Sequence, residues 1–313
     1  MEKLSFKKII LAIITLVIGL GLHLSSSRIL SPLMRNVIPG SIFDNFINEL
    51  FFAAIVVAII FIIKKQSLLR FDKGGFVTGL KCSAPVIAYS IVLILISLIE
   101  LKDHTLVRGS EIVLFIIFCL LIGVAEEGLF RGAVQELVLD AIEAKTRKQL
   151  AIGIIIASAF FGSSHFVNLF KGADLSAVII QVLTATASGM VFGAVCVRSG
   201  RSIWAAVLAH ALSDCGAFIN SGMLWGQKAI DAINGMSVGA FITAFVDILI
   251  FIYLMRSAEN VDNHVAKKKI ENDYKEEKRI GKSHKKGLII VITATAIILL
   301  AFLVIIPMVM TTF

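Results

Sequence analysis

The sequence contains no stretch polar and apolar-patterned enough to build a water-soluble domain. Its largest polar segment, residues 256–287, is rich in charge and too poor in apolar residues to enclose a core, so it reads as a cytoplasmic linker. Cysteine is sparse: Cys82, Cys119, Cys196 and Cys215 are scattered with no CxxC spacing, which argues against a disulfide framework and a zinc cluster. There is no HExxH metal-site motif. There is also no internal inverted repeat, which counts against a transporter.

What the chain does have is apolar length. Of its 313 residues 58% are hydrophobic, and the mean hydropathy is +0.91. A soluble domain is about 45–50% apolar, and about 20 consecutive apolar residues cross a bilayer. The expected fold is therefore an all-α polytopic transmembrane bundle of about eight to nine spans: 6–24, 47–63, 84–101, 111–131, 151–169, 177–197, 203–218, 238–255 and 288–310. The span at Ile203 is short. Lys3, Lys7 and Lys8 before an apolar run imitate a secretory signal, but the segment reads as an uncleaved first helix.

Lysine and arginine set the orientation. With the N-terminus in the cytoplasm, 23 of them fall on the inside and 6 outside. The net charge of +8 thus reflects topology and gives no reason to expect nucleic acid. The organisation expected is N-terminal helices over 1–110, a functional core over 111–220, an extracytoplasmic loop and helix over 221–255, the linker over 256–287 and a last helix over 288–313. The lipid bilayer is the one partner composition requires; the oligomeric state is not encoded in any visible pattern.

Against this apolar background, Glu126, Glu127 and Arg131 stand inside a predicted span. A carboxylate in hydrocarbon costs about 2.5–3.5 kcal/mol even on lenient scales, so these groups face protein or a wet cavity. Glu127 and Arg131 are four apart and share a helix face, where they can pair. Glu126 is rotated about 100° from Glu127 and lacks a counter-ion on its own helix. Such a carboxylate is suited to proton exchange; a buried ionic network that only fixes packing is the alternative.

Two further polar positions lie in apolar spans. One is Phe161 and His165 in AFFGSSHFVN; the other is His210 and Asp214 in AHALSDCG, again four apart. One converging site would be cheaper than several isolated burials. At about 1.5 Å per residue, Glu126 and His165 lie equally far from the turn near Ala144–Lys148. His210 then matches their level if residues 132–143 project into the cytoplasm as an amphipathic helix, with Glu136, Asp140 and Glu143 on its polar side.

Glu126-Glu127-x-x-x-Arg131, Phe161-x-x-x-His165 and His210-x-x-x-Asp214, in that order, resemble the three motifs of the CAAX protease and bacteriocin-processing (Abi) family of intramembrane glutamic endopeptidases. The resemblance spans about 111–220. It implies a hydrolase acting on a peptide or membrane-associated protein, in peptide or bacteriocin maturation, self-immunity or CAAX-type processing. It implies that Glu126 and His165 activate water, that His210 and Asp214 stabilise the oxyanion, and that Glu127 and Arg131 form a structural ion pair. Asp214 departs from the better-understood Asn, since an ionised carboxylate cannot donate a hydrogen bond; it would act by keeping His210 cationic. No cofactor is expected. Zinc on Glu126, His165 and His210 is the alternative. A soft lysine and isoleucine bias points to a bacterial plasma membrane. A non-catalytic protein binding a toxin or a sensor kinase is the competing function.

Overall fold

The computed structural model describes residues 5–35, 41–100, 104–144 and 146–256. The expected last helix, and all of the linker beyond Arg256, lie outside the described residues. Every element is helical: α1 (Phe6–Arg35), α2 (Ser41–Ile62), α3 (Lys73–Glu100), α4 (Gly109–Glu127), α5 (Glu136–Ala141), α6 (Arg147–Ser164), α7 (Leu175–Arg198), α8 (Trp204–Asn220), α9 (Ala229–Asn234) and α10 (Ala240–Arg256). A π-helical segment, Gly128–Gln135, joins α4 to α5, and a 3-10 turn, His165–Lys171, follows α6.

Six of these units are long and apolar enough to cross a membrane; one of them is the continuous stretch Gly109–Ala141. α8 and α10 have 17 residues each, about 26 Å of helix, slightly short of a hydrocarbon core of about 30 Å. Each of the first eight spans expected from the sequence has its helix. Large apolar side chains remain on the outer faces, among them Ile10 and Val17 of α1, Val113 and Ile116 of α4, and Phe245 and Leu249 of α10. Surfaces of this kind belong against lipid, and the protein is an integral membrane protein.

α4 packs between α2 and α8, α3 lies against α8, and α7 is flanked by α6 and α10. Glycines permit the closest approaches. A Cβ at Gly123 of α4 would stand 2.6 Å from the Val207 carbonyl oxygen of α8; at Gly189 of α7 it would stand 2.9 Å from the Phe161 ring of α6. Small residues bring membrane helices into such contact. Thr146 and Gln149 form a capping box that starts α6 and fixes the turn after α5.

The structure corrects one expectation. Residues 128–139 are buried throughout, so they are not an amphipathic projection with a solvent-facing side. Glu136, assigned to the polar side, is 1% exposed. It lies 2.9 Å from Arg201 and 3.6 Å from Lys65, which in turn reaches Asp140 at 2.7 Å. Glu136 is inside because the end of α2 and the α7–α8 turn close over it, while Asp140 is partly exposed and Glu143 exposed. That turn is tight: Gly200 and Arg201 both have positive φ, 69° and 66°. For an arginine this conformation is uncommon, and it aims the guanidinium inward at Glu136. Ile203 N–H and Trp204 Nε1–H strap the same turn to the carbonyls of Leu68 and Leu69.

Candidate active site

Three helices deliver the polar residues. Glu126 and Glu127 occupy the last α-helical turn of α4, His165 opens the 3-10 turn at the end of α6, and His210 and Asp214 lie on successive turns of α8. Immediately after Glu127 the backbone widens into the π-helix. Such insertions re-aim side chains and recur at functional sites. The Gly123–Val207 approach, one turn before Glu127, draws α4 onto α8 and brings Glu127 to His210.

His210 is the hub. Its Nδ1 is 2.8 Å from Glu127 Oε1, and its Nε2 is 3.6 Å from Glu126 Oε2 and 3.5 Å from Asp214 Oδ2. An ionised Glu127 can only accept, so Nδ1–H donates to it. That leaves Nε2 turned toward the other two carboxylates. The Phe192 ring of α7 stacks on the imidazole at 4.9 Å and 15°, which sets its plane.

Arg131 holds the other side of Glu127. Its Nε is 3.1 Å from Glu127 Oε2, an ion pair without the linear geometry of a hydrogen bond. Its Nη2 donates to the Gly189 carbonyl at 3.0 Å, and the guanidinium lies 4.5 Å over the Phe161 ring. Phe161 thus sits between cation and imidazoles: its ring meets His165 edge-on at 5.0 Å and His210 at 5.8 Å. His165 Nδ1 is 3.0 Å from the Phe161 carbonyl, leaving Nε2 as its outward nitrogen.

Accessibility divides the site. The side chains of Glu127 and Arg131 are 0% and 2% exposed, those of Glu126 and Asp214 26% and 24%. The inner pair is sealed; the outer carboxylates, with the partly exposed His165, face accessible space. All six ionisable residues of the three motifs therefore lie around one locus. The partnerships differ in detail. Glu127 is shared between Arg131 and His210, and the imidazole in contact with Glu126 is that of His210. His165 makes no direct contact with Glu126, though the two are within electrostatic reach. Among the described residues no three His, Cys, Asp or Glu side chains are gathered to hold a metal.

Sequence reasoning passed over a second acid–imidazole pair. His23 Nε2 of α1 is 3.7 Å from Glu49 Oε1 of α2, both largely buried. Glu49 is within electrostatic reach of Glu126 and Asp214, so the pair borders the site. The signal was available, one ionisable residue in each of two apolar runs. Phe192 gave no such signal, because a phenylalanine in an apolar helix looks like core.

No curated protein and no solved structure matches the chain. Residues 108–216 match the Rce1-like family, described as type II CAAX prenyl endopeptidase Rce1-like. The matched segment runs from the residue before α4 into α8 and contains all three motifs. Over that segment this membrane protein is similar to the Rce1-like family of CAAX proteases.

Proposed function

We propose that the chain is an intramembrane glutamic endopeptidase that hydrolyses a peptide bond of a peptide or membrane-associated protein. The observation that carries this reading is the pair of accessible carboxylates, Glu126 and Asp214, converging on one nitrogen of a histidine whose other nitrogen is held by the buried Glu127.

In this reading Glu126 takes a proton from a water that it shares with His165, and the water oxygen attacks the scissile carbonyl carbon. Glu126 and His165 are within electrostatic reach of each other, and a water between them would link the two. Negative charge develops on the carbonyl oxygen, and cationic His210 donates to it from Nε2. Asp214 supports the cationic imidazole through its charge. Collapse breaks the C–N bond, and the proton held by Glu126 passes to the leaving amine. The products are a carboxylate and an amine. Glu127 acts as a positioning residue, orienting His210 and held in turn by Arg131.

No step requires a metal or another cofactor. The protein is read as residing in a bacterial plasma membrane with its N-terminus in the cytoplasm, in peptide maturation, self-immunity or C-terminal processing. The test is incubation of the purified chain in liposomes with peptides bearing free or prenylated C-terminal CAAX sequences, with products read by mass spectrometry. Cleavage by wild type and its loss in Glu126→Gln is the expected result. Equal turnover by both would sink the mechanism, and loss of activity on chelation would replace it with a metal-dependent one.

A further inference from the structure

Apart from the site, α3, α10 and the end of α7 line a groove of about 450 Å³. One wall is apolar and open: Val246, Leu249 and Tyr253 of α10 are 45%, 49% and 68% exposed. The charged groups come from Lys81 on α3 and Arg198 at the end of α7. Arg198 is half-buried, and its Nε and Nη1 are buried with no hydrogen-bond partner among the described residues. A buried guanidinium donor left unpaired is costly. Its planar fork matches a phosphate, with Lys81 adding a point charge.

The position of these cations narrows the ligand. Lys81 and Arg198 both belong to segments that the lysine and arginine bias puts on the cytoplasmic side, at the level of lipid headgroups. The apolar wall runs from there along the lipid-facing side of α10. Val246 to Tyr253 covers about 10 Å of helix, enough to lie along part of an acyl chain. A ligand matching both halves has an anionic head and a hydrocarbon tail, and basic pockets between membrane helices bind such headgroups.

We propose that this groove binds one anionic phospholipid, its phosphate at Lys81 and Arg198 and one acyl chain along Val246, Leu249 and Tyr253. The site is independent of the proteolytic reading, since none of its residues belongs to the candidate active site.

The test is titration of the full chain in detergent with phosphatidylglycerol and, separately, with phosphatidylcholine, counting bound lipid by native mass spectrometry. Wild type is expected to retain one phosphatidylglycerol in preference to phosphatidylcholine. The double variant Lys81→Gln/Arg198→Gln is expected to bind phosphatidylglycerol about tenfold or more weakly, with phosphatidylcholine unaffected. Val246→Trp blocks the apolar wall and leaves both cations; it is expected to reduce retention at an unchanged melting temperature, and it decides the matter if the double variant does not fold. Equal retention of the two lipids by wild type, or undiminished phosphatidylglycerol binding by both variants, overturns the proposal. So does displacement of the lipid by millimolar inorganic phosphate, which would reduce the groove to a phosphate site.

Discussion

Two buried glutamates nine residues apart on one continuous helical stretch have opposite surroundings. Glu136 lies between Lys65 and Arg201, and nearby Asp140 also pairs with Lys65, so two acids meet two bases. Glu127 shares its site with Glu126 and Asp214, and among the described residues the one permanent cation bonded there is Arg131. The cluster around Glu136 is balanced and ties the end of α2 to the α7–α8 turn. The candidate active site is acid-rich, and its surplus is directed onto His210. A balanced cluster is what packing requires. A surplus of carboxylates around one imidazole is costly for stability alone, and it fits proton transfer and charge stabilisation.

The sharpest way to break this contrast is to remove one acid from each cluster. Glu126→Gln is expected to lower peptide cleavage about a thousandfold while the thermal unfolding midpoint in detergent stays at or above that of wild type. Arg131→Gln leaves Glu127 buried without its cation. It is expected to cost about 3–5 kcal/mol in chemical denaturation, and a variant as stable as wild type would mean that His210 alone suffices for Glu127.

Glu136→Gln is expected to show the reverse of Glu126→Gln: stability falls and the folded protein cleaves as wild type does. The loss is about 1–3 kcal/mol, held down because Lys65 and Arg201 are about one-fifth exposed and solvent screens them. Loss of cleavage without loss of stability would erase the distinction between the clusters. Gly189→Ala probes the packing beneath the site. The added methyl meets the Phe161 ring, and overpacking of this kind costs about 1–3 kcal/mol, read as a lowered unfolding midpoint. The smallest effect belongs to Asp214→Asn, about a tenfold loss of cleavage with an altered pH–rate profile. A profile coincident with wild type over a wide pH range would remove the charge role of Asp214.

The local parts of this contrast were legible in the sequence. Apolar runs declared the membrane helices, and the positions of ionisable residues within them marked where a site had to be. The Glu127–Arg131 contact follows from four-residue spacing on one helical stretch, so it needs no tertiary knowledge. The pairing of Glu126 with His165 was a different kind of inference, because spacing along two separate helices fixes depth and leaves rotation open. The burial of Glu136 was misread for a related reason. Residues 132–143 have an amphipathic pattern, and the pattern cannot say whether water or a pair of cations from distant segments meets the polar side. His23 and Glu49 each stand out as an ionisable residue in an apolar run, yet they become a pair only when α1 lies against α2.

By itself the sequence determined the solvent this protein lives in, its helices and the short-range ion pair, because hydrophobicity and helical periodicity act over a few residues. Tertiary structure decided how the charges are shared. Glu127 meets His210 across 83 residues of chain, Arg131 reaches Gly189 across 58, and Glu136 is closed in by Lys65 and Arg201. Those contacts depend on how far glycines such as Gly123 and Gly189 let helices approach and on the rotation each helix adopts in packing. Neither is set by any local stretch of residues. That is why the sequence marked the two glutamates as unlike, while only the packed bundle assigned His210 as the group they share.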